Sequence, residues 1–347
     1  MKTFPRRKER ALRAWRRSGA AIALLLCCAQ RVCAHVKWFV PDEEAVVRAM
    51  HKGPVYGLFE APVLVWIGLS LAILAAGSFL DKFLPEPAKL AAFARSNEKK
   101  ALLLFQALIG LFLVYIGLTR NIVLVPEIAA VTAATKLLKG VEIVAGFLLF
   151  TNYAPRAGAL LILALYLGAT ALAGRVFMLE NVLLIGIAGF IFVRNCPDGP
   201  GLERCRPHSV PFLRVCAGIS LSVLAFTDKL LFPELAYSFL SVHHWNFMPL
   251  LGFPGFTDQL FILCAGVTEL LFGLVFILGY VTRVNAAVMT SFFAMSVIAM
   301  GVGSGRWEVE DLPIYAVALI MVLYGAGNRE AAAPAVNVLV NDGRRSA

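Results

Sequence analysis

The sequence KGVEIVAGFLLFTNYAPRAGALLILALYLGATALAG, residues 139–174, decides the fold because it has a counterpart later in the chain. That counterpart is CAGVTELLFGLVFILGYVTRVNAAVMTSFFAMSVIAMG, residues 264–301. A shift of 127 positions places Glu142 on Glu269. The same shift also places Gly146 on Gly273, Arg156 on Arg283 and Gly174 on Gly301. Both stretches contain apolar runs long enough to cross a bilayer. We therefore expect a membrane bundle that has been duplicated within one chain.

The composition supports a membrane protein. Of the 347 residues, 59% are hydrophobic and only 16% are charged, whereas a soluble domain carries about 25% charged residues. The net charge of +10 comes mostly from residues 1–34, which hold nine Lys or Arg and one acid. The basic balance therefore gives no reason to expect nucleic-acid binding. The sequence also lacks P-loop, GxGxxG, CxxCH and HExxH motifs, which disfavours several nucleotide, haem and zinc enzymes.

Residues 1–34 have the three parts of a signal peptide: a basic start, the short apolar run AAIALLLCCA, and VCA before His35. Cleavage after Ala34 would make His35 the first residue of the mature protein. The alternative is an uncleaved start that remains embedded in the membrane.

The rest of the chain is predicted to be an all-α polytopic membrane protein with nine spans. These are residues 62–80, 101–118, 136–152, 157–174, 181–194, 212–230, 259–279, 284–302 and 312–326. Basic residues gather in the loops 81–100 and 194–211 and at Arg156 and Arg283, so we expect this side to face the cytoplasm. The mature N-terminus would then be extracytoplasmic and the C-terminus cytoplasmic, in a bacterial-type inner membrane.

The predicted organisation has six parts. They are a signal peptide (1–34), an extracytoplasmic segment with an extra span (35–100), a first four-helix bundle (101–194), a cytoplasmic linker (195–211), a second four-helix bundle (212–327) and a cytoplasmic tail (328–347). Four spans in each copy give both bundles the same orientation, so the duplication is parallel rather than inverted. An earlier part of the repeat aligns Phe105 with Phe212 and Glu127 with Glu234, where PEIA becomes PELA.

A four-helix unit with a PE(I/L)A step after its first helix, Glu and Gly in its second helix and a basic residue before its third resembles the DoxX-like membrane proteins. The resemblance covers residues 101–327. It implies two tandem DoxX-like four-helix bundles. One branch of that family resembles the membrane subunit of a thiosulfate:quinone oxidoreductase, and others look like redox-support or maturation proteins.

Acidic residues within or beside apolar spans are costly and need a reason. Glu142, Glu269, Glu127 and Glu234 occupy equivalent positions in the two copies. We expect them to line polar pockets, one per bundle, that hold a proton, a cation or a quinone headgroup. The structural alternative is that each pairs with a base such as Arg120 or Lys229, or caps a helix. Glu180 and Asp311, which begin the last span of each copy, are interpreted as structural.

A second pattern points to metal binding. A mature N-terminal His35 offers its amine and its ring nitrogen as a chelate, and His243 and His244 lie on the same predicted side. Such a set of nitrogen ligands suits copper. The alternative is that these residues form an interfacial belt with neighbouring aromatic residues.

Three functions remain open from the sequence. The first is a membrane component of a redox system, linked to quinone and to a redox partner protein. The second is an extracytoplasmic copper-handling protein. The third is a transporter or a structural partner in the bilayer. No catalytic residue is identified, and the sequence does not decide whether the protein is an enzyme.

Overall fold

The computed structural model describes residues 54–84, 87–174, 179–196, 204–304 and 309–327, with the backbone alone for 242–243 and 295–304. The signal peptide, His35 and the tail lie outside the described residues. The helices are α1 (Ala61–Phe83), α2 (Ala88–Ser96), α3 (Glu98–Thr119), α4 (Ala133–Phe150), α5 (Pro155–Ala173), α6 (Leu183–Arg194), α7 (Ser209–Ala225), α8 (Glu234–His243), α9 (Asp258–Leu278), α10 (Thr282–Ser304) and α11 (Leu312–Tyr324).

The prediction of a helical membrane protein is confirmed in its coarse form. Within the described ranges, five helical segments are long and apolar enough to cross a bilayer: α1, α3, α5, α9 and the segment Arg206–Leu230, which contains α7. Helices α6 and α11 are apolar but shorter, and α4 carries three charged side chains in its 18 residues. Nine spans therefore stay a prediction.

Local sequence explains where the helices of the first copy begin. Thr132 caps α4 by accepting the N–H of Thr135, and the Thr135 side chain accepts the N–H of Thr132 in return. Pro155 stands at the first position of α5, where its fixed φ suits the helix and its missing N–H costs nothing.

One strand pair departs from the predicted all-α fold. The strands β1 (Ile122–Val123) and β2 (Val125–Ala129) pair antiparallel after α3. They meet at Leu124, which has a positive φ of 61°. In the second copy the corresponding part of the chain instead forms a π-helical turn, Phe226–Leu230, followed by α8.

Within each copy, the first two helices meet at glycines. A Cβ added to Gly110 would lie 2.6 Å from the carbonyl oxygen of Gly146, and one added to Gly218 would lie 2.6 Å from that of Gly273. Such approaches are closer than a side chain allows, so glycine lets the backbones of α3 and α4, and of α7 and α9, come together.

The contacts between Gly110 and Gly146 and between Gly218 and Gly273 correct the alignment of the first helices. Gly110 matches Gly218, a shift of 108, so Phe105 corresponds to Leu213 and not to Phe212. Phe105 is fully buried, whereas Phe212 is 45% exposed. The buried positions of α3 and α7 coincide along both helices at this shift. The PEIA and PELA segments suggested the wrong register because they lie beyond these helices, where the two copies fold differently.

The two copies also interlock. The last helix of the first copy, α6, packs on α7, and the last helix of the second copy, α11, packs on α3. One buried hydrophobic cluster runs through both copies, from Phe105 to Met321. The division into two bundles at residues 195–211 therefore describes the sequence repeat, while the packing joins the copies around a shared core.

Candidate functional site

A cavity of about 110 Å³ lies between the two copies, at the end of the molecule where α6 and α11 begin. We call this end the acidic end, after the carboxyl groups of Glu127, Glu180, Glu310 and Asp311 that line the cavity. Most of the remaining wall is apolar. Its apolar residues include Phe112, Leu124, Leu221, Phe276, Met289 and Val317.

The wall is built from equivalent residues of the two copies. The buried positions of α6 and α11 match at a shift of 130. This shift places Glu180 on Glu310 and Asn181 on Asp311, and all four line the cavity. Equivalent residues thus meet at one end of the helices, which is the arrangement that a parallel duplication produces.

Two of the cavity's carboxyl groups differ in their partners. Glu310 Oε1 lies 2.7 Å from Arg120 Nη2, an ion pair between the start of α11 and the end of α3. Asp311 is only 3% exposed, and its buried Oδ2 has no hydrogen-bond partner among the described residues. Asp311 therefore presents an unsatisfied polar atom beside an apolar wall.

The surroundings of Asp311 favour its protonated form. Burial, together with the nearby carboxylates of Glu310 and Glu269, raises the pKa of this carboxyl to about 7. Loss of its proton would place a third negative charge beside the other two, away from water. A protonated Asp311 can donate a hydrogen bond to a ligand in the cavity.

Glu269 lies behind the cavity wall rather than in it. Lys229 Nζ, on the π-helical turn, lies 2.6 Å from Glu269 Oε2, and both side chains are almost fully buried. Glu269 thus pairs with Lys229, which was the structural alternative proposed from the sequence. The carboxyl group of Glu269 lies close enough to Asp311 to act on its protonation.

Glu142, its counterpart in the first copy, has a different partner. Its carboxylate oxygens accept the N–H of Leu124 at 3.3 and 3.4 Å. Leu124 joins the two strands and lines the cavity. Glu142 therefore holds the hairpin that forms part of the cavity wall.

Glu127 and Glu234 are not equivalent in the structure. Glu127 lies exposed on β2 and lines the cavity. Glu234 is buried in the first turn of α8 and does not line it. Of the four glutamates predicted to form polar pockets, the structure brings only Glu127 to this cavity. The cavity lies between the copies instead of inside either bundle.

The predicted metal ligands are only partly described. His35 and the side chain of His243 lie outside the described residues. His244 is exposed and ends α8 in the left-handed conformation, with φ of 51°. Among the residues that the structure describes, no group of three or more His, Cys, Asp or Glu is arranged to hold a metal ion.

Comparison with known proteins finds no family model, no curated protein and no solved structure that matches this chain. The DoxX-like resemblance therefore stays a prediction.

Sequence reasoning missed Glu310 and Asn181 and treated Asp311 as structural. The signal was present, because Glu-Asn at 180–181 returns as Glu-Asp at 310–311, before helices with the same burial pattern. It was hidden because the shift in this part of the repeat is 130 rather than 127. An alignment that allowed each helix its own shift would have paired these positions.

Proposed function

We propose that this protein is an integral membrane component of a redox system that binds the head of a quinone in the cavity between its two copies. The observation that carries the proposal is Asp311, a buried carboxyl group with an unsatisfied oxygen beside an apolar wall. In the orientation expected from the basic loops, the cavity opens toward the extracytoplasmic side of a bacterial-type inner membrane.

The distribution of charge supports a neutral ligand that accepts hydrogen bonds. Glu310 has Arg120 as its cation and Glu269 has Lys229. No ion pair joins Asp311 to any described residue, and its pKa is raised to about 7, so this carboxyl group is available to carry a proton near neutral pH. A neutral carboxylic acid in an apolar site can donate a hydrogen bond to a ligand carbonyl, as protonated carboxyls do in other proteins. Quinone carbonyls are acceptors of this kind.

The shape of the cavity and a second hydrogen-bond donor, the Ser220 hydroxyl, support the same ligand. The Ser220 hydroxyl accepts the N–H of Leu183 at 2.8 Å, which leaves its own O–H as a donor. Phe112 and Phe276 contribute aromatic surface, on which a flat ring packs well. The cavity of about 110 Å³ is smaller than the cavity of about 150 Å³ that binds benzene. A quinone ring would therefore enter it with some movement of the wall, and the isoprenoid tail would extend into the bilayer. Electrons would be exchanged with a partner redox protein, as the family resemblance implies.

The test is to measure the quinone that copurifies with the protein. We expect detergent-purified wild-type protein to yield quinone on solvent extraction and mass spectrometry, at a level approaching one per chain. Asp311→Asn, which retains an N–H donor, should keep most of it. Asp311→Leu, which offers no donor, should lose about tenfold or more in affinity, the effect of leaving a ligand carbonyl unpaired in an apolar site.

Glu98→Gln is a matched control, because Glu98 binds Arg194 at the opposite end of α3. It should retain quinone at the wild-type level. Equal quinone in Asp311→Leu and wild type, or none in wild type supplied with quinone, would overturn the proposal.

A further inference from the structure

The turn between the second and third helices of each copy is built twice from related residues. It reads NYAPR at residues 152–156 and GYVTR at residues 279–283. Asn152 and Gly279 occupy the same place and both have positive φ, 52° and 80°. The two turns thus provide a comparison within one molecule, at the end opposite the cavity.

In the second copy this turn is occupied by protein groups. The N–H of Val281 donates to a carboxylate oxygen of Asp81, which belongs to α1, with an N···O distance of 2.7 Å. Arg283 donates to the carbonyl oxygens of Val322 and Leu323 at 3.1 and 3.3 Å. The turn therefore binds a carboxylate, and Arg283 caps the C-terminal end of α11.

In the first copy, the equivalent groups are the N–H of Ala154 and the side chain of Arg156, and they have no such partners among the described residues. Helix α1 packs along α9, so Asp81 serves the second copy and Ala154 takes the place of Val281. The Arg156 guanidinium lies over the ring of Phe192, 4.9 Å from its centroid. It makes no hydrogen bond or ion pair with any described residue, and its Nε is buried. Stacking on Phe192 holds this cation in place without neutralising it.

A surface cavity of about 370 Å³ opens at this turn. It is lined by Asn152, Ala154, Pro155, Arg156, Ala157 and Asn195. Helix α5 begins here without a side-chain cap. The N–H groups of Arg156 and Ala157 have no partner within the helix and point out of its N-terminus, where anions are favoured.

We propose that this turn of the first copy binds a phosphate group, which takes the place that the Asp81 carboxylate occupies in the second copy. Phosphate suits the fixed fork of an arginine guanidinium and the free amides of a helix N-terminus. The site lies where α4 ends and α5 begins, on the side of the molecule with the basic loops. The phosphate is carried by an anionic phospholipid headgroup or is free in solution, and the site is independent of the cavity at the acidic end.

The experiment is native mass spectrometry of the full-length protein in detergent, titrated with phosphatidylglycerol in one series and inorganic phosphate in another. We expect Arg156→Gln to weaken binding about fivefold or more, the effect of one cation at a membrane surface. Arg95→Gln removes an exposed basic residue on the same side that lies outside the cavity, and it should change binding by less than twofold.

Phe192→Leu is a second variant, which keeps the charge but removes the ring that holds the guanidinium. Phe192→Leu should weaken binding by a smaller factor than Arg156→Gln. If Arg156→Gln does not fold, the result for Phe192→Leu tests the proposal in its place. Losses in both series assign the site to a phosphate group from either source, and a loss with phosphatidylglycerol alone assigns it to the lipid headgroup. Wild-type affinity of Arg156→Gln in both series, or an equal loss in Arg95→Gln, overturns the proposal.

Discussion

The Nζ atom of Lys229 lies 2.6 Å from a carboxylate oxygen of Glu269, and both side chains are buried inside the second copy. The equivalent glutamate of the first copy, Glu142, binds a backbone N–H instead. The duplicated position thus carries an ion pair in one copy and a backbone contact in the other, so we expect the two copies to respond differently to substitution.

Lys229→Met should destabilise the protein strongly, because it leaves the Glu269 carboxylate buried without its cation. Removal of one partner of a buried ion pair costs about 3–5 kcal/mol. Thermal unfolding in detergent should show a large drop for this variant. The double variant Lys229→Met, Glu269→Gln should recover much of the loss. Additive losses in the double variant would show that the pair is not coupled.

The pH dependence of stability should report the proton on Asp311. The pKa of Asp311 is raised from 3.8 to about 7 in the folded protein. Between these values the folded state holds a proton that the unfolded state releases, so this group's contribution to stability falls as the pH rises from about 4 to about 7. Asp311→Asn cannot lose this proton.

The Asn variant should therefore gain stability relative to wild type on going from pH 5 to pH 8, measured by thermal unfolding at both values. The comparison between the two proteins removes the contribution of every other acid. A constant difference between pH 5 and pH 8 would mean that Asp311 titrates in its ordinary range.

The close approach of helices at glycine should make small residues essential there. Gly146→Ala and Gly218→Ala each force a Cβ against a neighbouring backbone, so we expect losses of about 1–3 kcal/mol. Gly140→Ala is the control, because a Cβ there meets nothing within 4 Å, and alanine favours the helix. Unfolding midpoints should fall for the first two variants and hold or rise for the control. A fall in all three would indicate that helix packing is not the cause.

The copper hypothesis stays a prediction from the sequence, and one mass measurement tests its basis. Native mass spectrometry of the purified protein should give a mature mass that begins at His35. If copper binds there, the mass includes the metal, and His35→Ala loses it because the ring nitrogen of the chelate is gone. A mass that begins at Met1 would remove the amine ligand and, with it, this hypothesis.

Much of the helical framework was predictable because long apolar runs have few alternatives to a helix. Every predicted span from 62–80 to 312–326 overlaps a helix of the structure, although five helical segments of the part of the chain that the structure describes meet the length and apolarity of a span. The hairpin at Leu124 was missed, since PEIA gives no alternation long enough to indicate a strand.

The candidate site was harder to predict because it depends on contacts between the copies. The pairing of Lys229 with Glu269 was foreseen as an alternative, since a buried acid needs a cation. The presence of Asp311 and Phe112 in one cavity was not, because it requires α11 to pack on α3 of the other copy. No periodicity within one helix carries that information.

The exchange of last helices between the copies also bears on how this chain arose. Helix α6 packs on α7, and α11 packs on α3. The last helix of each copy therefore packs against the first helix of the other copy. This is the contact pattern of a symmetric dimer whose two subunits have been fused into one polypeptide. In such an ancestor the cavity would have lain on the symmetry axis, with identical groups facing each other. Fusion permits Asn181 to differ from Asp311, so a site that began with two equal halves could acquire one proton donor and a single direction for its ligand.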